Sequence, residues 1–152
     1  MGAIQEALNK YGEDTVKIIQ GNLSSTGTDA SGETSRSVRS EGKDDRVTVS
    51  GKAFIFVVET GRKAGKRPPV SKILKWLQTG KVSVVGKIES AAFAISKVIG
   101  EKGSALFRKG GRTDIIQPAL SNDRLDKLNA EIADIELFKT VKAIENGIAG
   151  NN

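Results

Sequence analysis

The chain has 152 residues, with 24 Lys and Arg against 18 Asp and Glu, a formal charge of +6, and neither His nor Cys. A length of this order suits one domain around one core, and 38% hydrophobic with 5% aromatic residues makes that core plausible but thin. The missing residue types exclude disulfide frameworks, thiolate nucleophiles and Cys-ligated zinc and remove the usual neutral-pH general base and nitrogen ligand; carboxylate, lysine or oxygen-ligand chemistry remains, and no cofactor and no metal is expected of the chain as a whole.

Ile4, Leu8, Tyr11, Thr15, Ile18 or Ile19 and Leu23 recur at three- and four-residue spacings, which predicts an amphipathic helix ending near Ser24. Gly12 lies inside it and costs about 1 kcal/mol relative to Ala, so the helix bends there or depends on tertiary contacts. The small polar residues from Asn22 to Glu33 predict a loop, and Ser31 or Thr34 is placed to cap a short helical stretch through Ser37 and Val38. Arg46-Val-Thr-Val-Ser alternates at period two, and Ala53-Phe-Ile-Phe-Val-Val follows across Gly51-Lys52, which together predict a hairpin. Val82 to Val85 is a candidate for a further strand, since two strands alone are marginal.

Gly61 to Pro69 combines Gly, Pro and four basic side chains and predicts a stiffened, projecting loop. Beyond Pro68-Pro69, Val70, Ile73, Leu74 and Leu77 share the face of a short helix that ends before Gly80. Ile88 to Ile99 has a second helical pattern, stopping at Gly100, and Gly103 to Gly111 resembles an exposed basic loop. The clearest helical period follows Pro118, through Leu120, Leu125, Leu128, Ile132, Ile135, Leu137, Val141 and Ile144, with Ser121 or Asn122 as its cap. The expectation is a single domain over residues 1–146, with residues 147–152 a frayed, flexible end.

Charge is segregated along the chain. Residues 1–60 sum to −2, residues 61–112 to +11 and residues 113–152 to −3. Such a field steers a basic middle onto an anionic surface, or docks one subunit's basic face on another's acidic end. The opening residues lack the basic n-region and continuous apolar h-region of a secretory signal, and no run approaches the roughly 20 apolar residues of a membrane span. A cytosolic or assembled product without a membrane partner is therefore expected.

Gly61-Arg-Lys-Ala-Gly-Lys does not satisfy the spacing of a phosphate-binding P-loop. Asp44-Asp45 are neighbours in a polar turn, and Asp126, Glu131 and Asp134 suit a solvated or subunit-facing helix surface, so no catalytic carboxylate pair is assigned. Arg62, Lys63, Lys66 and Arg67, with Arg108, Lys109 and Arg112 as a second patch, form the candidate surface for interface or phosphate contact. Few aromatics are interleaved with them, so base stacking is not expected. The alternatives are non-specific contact with nearby DNA and a basic surface used for protein contact or solvation. Trp76 reads as a core or interface anchor, and Phe107, if exposed between its glycines, as a plug for a neighbouring subunit.

The order of elements resembles the phage head-to-tail joining and tail-completion family of small minor tail components. Ser31-Gly32-Glu33-Thr34-Ser35-Arg36-Ser37-Val38 occupies the place of that family's polar segment after the first helix. Val58-Glu59-Thr60-Gly61 resembles its Val-Glu-Phe-Gly-Thr turn, with Thr60 where the aromatic stands. Arg67-Pro68-Pro69 precedes the Ile73 to Leu77 helix, and Phe107 with Ile115-Ile116-Gln117-Pro118-Ala119-Leu120 resembles the segment before the last helix. The resemblance implies an α+β fold, with a long N-terminal helix and further helices packed on a small, mainly antiparallel sheet. It also implies a non-enzymatic virion protein of the neck or tail, made in the host cytoplasm. Its implied partners are copies of itself in a ring, portal or connector or tail-tube proteins, and packaged DNA through non-specific contact.

Overall fold

The computed structural model describes residues 2–29 and 31–150. Its long first helix, α1 (Ala3–Ser25), is followed by α2 (Glu33–Ser37), the strands β1 (Arg39–Lys43) and β2 (Arg46–Ser50), and α3 (Phe54–Thr60). Then come α4 (Val70–Leu77), α5 (Ile88–Lys102), α6 (Ala105–Arg108), a 3-10 turn at Gln117–Leu120 and α7 (Asn122–Ala149). The fold is α+β, mainly helical, with one two-stranded antiparallel sheet.

α1 buries Ala7, Gly12, Thr15, Ile19 and Leu23 along one narrow stripe. Its first half receives the hairpin. An added Cβ on Gly12 would run into Val47 Cγ2 and come within 3.0 Å of Ser40 Cβ, so the missing side chain is what lets both strands approach the helix. Asp44 and Asp45 turn the chain between the strands with φ of 55° and 52°, the left-handed values that a two-residue type I′ hairpin needs. The buried Gln5 clamps this turn from α1: its Oε1 accepts from Asp45 N at 2.8 Å and its Nε2 donates to Arg46 O at 3.3 Å.

The second half of α1 carries the main core. Ile19, Leu23, Val38, Ile55, Val58, Ile115 and Ala119 pack together, with Val16, Ile18 and Ile116 against them. Asn22 reinforces the packing by donating to Ile115 O at 2.9 Å. α7 lies across α1 and is held by Arg124, whose guanidinium donates to Ala119 O and Thr15 Oγ1 and sits 4.6 Å from the Tyr11 ring centroid. α4 and α5 pack on each other as a helical hairpin, sealed by Leu77 and Ala92. Buried Ser96 donates from Oγ to Pro68 O at 2.6 Å.

Several boundaries differ from the expectations. The partner of β2 is the upstream stretch Arg39–Lys43, paired Arg39 to Ser50 through Lys43 to Arg46, and the apolar run expected as a strand at 53–58 is the helix α3. The physical reason is the one-sided use of that run: Ile55 and Val58, three apart, enter the core, whereas Phe54 and Phe56 face outward. A short apolar run has no periodicity that separates helix from strand, and the polar Arg-Ser-Glu-Gly-Lys becomes a strand only because the Asp-Asp turn folds it onto β2. Residues 82–85 form no strand, and the loop expected at 103–111 contains α6. α5 passes Gly100 and ends at Gly103, and α7 stays helical through Gly147 to Ala149. Asn151 and Asn152, part of the end expected to fray, lie outside the described residues.

Candidate docking surface

The two basic loops, more than thirty residues apart in sequence, lie side by side. Arg62 N donates to Ser104 Oγ at 2.9 Å, and Ser104 N returns a bond to Arg62 O at 2.8 Å. Gly65 N also donates to Gly100 O at 2.8 Å. Ser104 serves twice, because its hydroxyl accepts from Phe107 N at 3.2 Å and so caps α6. Gly100 admits the loop on α5, since an added Cβ there would collide with Arg67 Cγ.

Within this surface the expected contact residues divide into two groups. Arg62, Arg67 and Arg112 have structural tasks: Arg62 donates to Lys66 O at 3.1 Å, Arg67 pairs with Glu101 at 3.8 Å, and Arg112 makes a two-pronged pair with Asp114 at 2.6 and 2.7 Å. The hydrogen bonds from Arg112 hold the Asp114 carboxyl below its ordinary range, and the same bonds raise the guanidinium. Lys63, Lys66, Arg108 and Lys109 are exposed and make no ion pair among the described residues. Those four cations are the part of the patch left for an external anion.

The aromatic candidates also separate. Phe107 is half-buried on α6, where its backbone and ring fit against the bare Cα positions of Gly61 and Gly103. Its role is to close the loop pair rather than to project from it. Trp76 stands 40% exposed on α4, one residue from the buried Leu77, and shares its outward side with Lys72 and Lys75.

Beneath the basic loops lies a residue whose task the sequence does not announce. Glu59 Oε1 accepts from Ile115 N, Ile116 N and Gln117 N at 3.2, 2.5 and 3.3 Å, and Glu59 O accepts from Arg112 N at 2.8 Å. One carboxylate thus gathers three backbone donors at the start of the 3-10 turn, a region where such groups lack intrahelical partners. Gly61, with φ of 75°, ends α3 directly above it. The local signal for Ser104 was present, a Ser after Gly103 and before a short apolar run; Glu59 gave no local signal because its partners are 56 to 58 residues away.

What this arrangement offers chemically is exposed positive charge. The loops present cations on segments tied to each other by backbone hydrogen bonds, and no group of three or more carboxylates among the described residues is placed to hold a metal ion. No described helix is long and apolar enough to cross a membrane. No family model, curated protein or solved structure matches the chain.

Proposed function

We propose that the protein is a structural virion subunit that oligomerises into a ring and joins or completes the head-to-tail or neck assembly of a bacteriophage. The observation that carries this reading is the Glu59 carboxylate. It ties Val58–Gly61 to Ile115–Leu120, two of the segments that carry the resemblance to tail-completion proteins. A side chain that bonds one segment to the other supplies a physical reason for both to occur in one chain.

The surface supports the same reading. Phe54, Phe56, Leu137, Phe138 and Ile148 are each more than half exposed beside a core of modest size, an excess of apolar surface that marks contact with partners. The partners are further copies of the chain and the portal, connector or tail-tube proteins above and below the ring. The work is mechanical: identical docking surfaces repeat under cyclic symmetry around a channel, and phosphate of passing DNA meets cations without regard to sequence. Imaging of the native particle tests it. The expected result is a closed ring of this chain on the portal-to-tail axis, with filled heads and detached tails accumulating when the chain is deleted. Its absence from purified particles overturns the reading.

A second reading, a non-specific nucleic-acid-binding protein, is favoured by one observation, the merging of the two basic loops into a single patch with four unpaired cations among the described residues. It requires the isolated chain to hold duplex or single-stranded DNA at moderate salt.

A further inference from the structure

α7 changes the face it uses part way along its length. Arg124, Leu128, Ile132 and Ile135 are its half-covered residues, and they face α1. Another stripe runs along a different side through Asp126, Ala130, Asp134, Leu137, Val141, Ile144 and Ile148, again at three- and four-residue spacings, and every member is exposed. Its proximal half carries acids; its distal half carries aliphatic side chains that are 63, 44, 57 and 66% exposed at Leu137, Val141, Ile144 and Ile148. The 4-3-4 spacing of those four is the seam of a helix that packs against another element. From Leu137 to Ile148 the apolar part extends roughly 17 Å at 1.5 Å per residue. α7 packs within its own chain on α1 and the 3-10 turn, and neither covers this stripe.

The same molecule carries a surface of opposite sign. On α4, Lys72, Lys75 and Trp76 are exposed together at i, i+3 and i+4, inside the segment of residues 61–112 that sums to +11. Glu33 lies close enough for its carboxyl to be lowered partly by both lysines, but its hydrogen bond is to Lys52, the larger cause of that lowering. Two lysines beside an exposed indole are opposite in sign to the two aspartates that lead into the aliphatic seam, and Trp76 supplies apolar area for the Leu137 end of it.

We propose that the outer stripe of α7 docks on the α4 face of a second copy of this chain, Asp126 and Asp134 toward Lys72 and Lys75 and Leu137, at the near end of the aliphatic seam, against Trp76. The contact is head-to-tail, so each copy keeps one free donor helix and one free acceptor face, and repetition builds a ring when the rotation closes. This inference rests on the ring reading for its biological setting, although the contact itself is a property of the isolated chain.

Sedimentation of the full-length chain at low salt across micromolar concentrations tests it, with circular dichroism confirming that each variant is folded. The wild type is expected to form concentration-dependent oligomers that dissociate as salt rises. The double variant Leu137→Asp, Ile144→Asp, altered only at exposed positions, is expected to be monomeric. Asp126→Lys with Asp134→Lys weakens association at least tenfold, and adding Lys72→Glu with Lys75→Glu in the same chain restores it. Mixing an α7-defective variant with an α4-defective one yields dimers and nothing larger. A monomeric wild type, an unaffected Leu137/Ile144 variant, or a charge reversal with no rescue overturns the proposal. Oligomers that ignore α7 sink this contact while leaving the ring intact, whereas pairing through α7 in a chain absent from particles sinks the ring alone.

Discussion

Glu59 concentrates more long-range bonding than its neighbours in sequence. Its single carboxylate oxygen accepts from three backbone N–H groups, and the fully buried Ile115 is held in the core by that capture. Glu59→Ala strands those donors beside the core and is expected to cost about 1–3 kcal/mol, read as a lowered urea midpoint with an unchanged slope. Glu59→Gln, which keeps an acceptor, is expected to lose less; an alanine variant as stable as wild type removes this role. Asp114 gives a pH-dependent counterpart. Its carboxyl is held below the ordinary aspartate range by hydrogen bonds from Arg112, so the folded chain binds a proton there less readily than the unfolded one. The contribution is therefore complete above the unfolded value and fades as pH falls through the folded one. The small stability difference between wild type and Asp114→Asn should be constant above about pH 5 and vanish in acid; a difference that grows in acid reverses the sign.

At the level of elements, the hairpin on α1 sets a local preference against a tertiary contact. A Gly inside an exposed helix costs about 1 kcal/mol relative to Ala, so Gly12→Ala would stabilise α1 in isolation. In the folded chain the new methyl meets Val47 Cγ2 and Ser40, and overpacking of that kind costs about 1–3 kcal/mol. The expected outcome is net destabilisation, relieved when Val47→Ala is combined with it, as a double-mutant cycle in thermal unfolding would record. Additive single effects would mean that the hairpin does not rest on Gly12. The same contact explains how the polar strand β1 persists: Gln5 fixes its turn and Gly12 admits its side chains to the helix surface.

Over the whole molecule, charge and packing are divided between different parts of the chain. The core lies among α1, α3 and the Ile115 to Ala119 segment, while the basic loops and the α4–α5 hairpin stand outside it and are joined to it by backbone bonds. Removing charge at Lys63, Lys66, Arg108 and Lys109, which make no ion pair among the described residues, should leave the fold unchanged. If the patch meets phosphate, the logarithm of the DNA-binding constant should fall against the logarithm of salt with a slope of about −3 to −4 for four cations. Lys63→Ser with Lys66→Ser should make that slope shallower by about 2. Filter binding across a salt series checks both values, and a slope near zero removes phosphate as a ligand of the loops.

Most of the helical frame was legible in the sequence, because amphipathic period and caps act within a few residues. The spacing from Ile4 to Leu23, the Pro68-Pro69 entry to α4, the Ala-rich run of α5 and the long period after Pro118 all became helices near their expected bounds. The basic candidates were legible as residue types, although three of the arginines are occupied by bonds within the chain. Only the tertiary structure decided that Phe54–Thr60 is helical, that Arg39–Lys43 pairs with Arg46–Ser50, and that the two basic loops form one surface. Each of those outcomes depends on partners far along the chain: Ile55 and Val58 choose helix because the core accepts one face of it. Local sequence carries no information about which distant group will satisfy a backbone donor, which is why the task of Glu59, and the bond of Ser104 to Arg62, emerge only once the chain is folded.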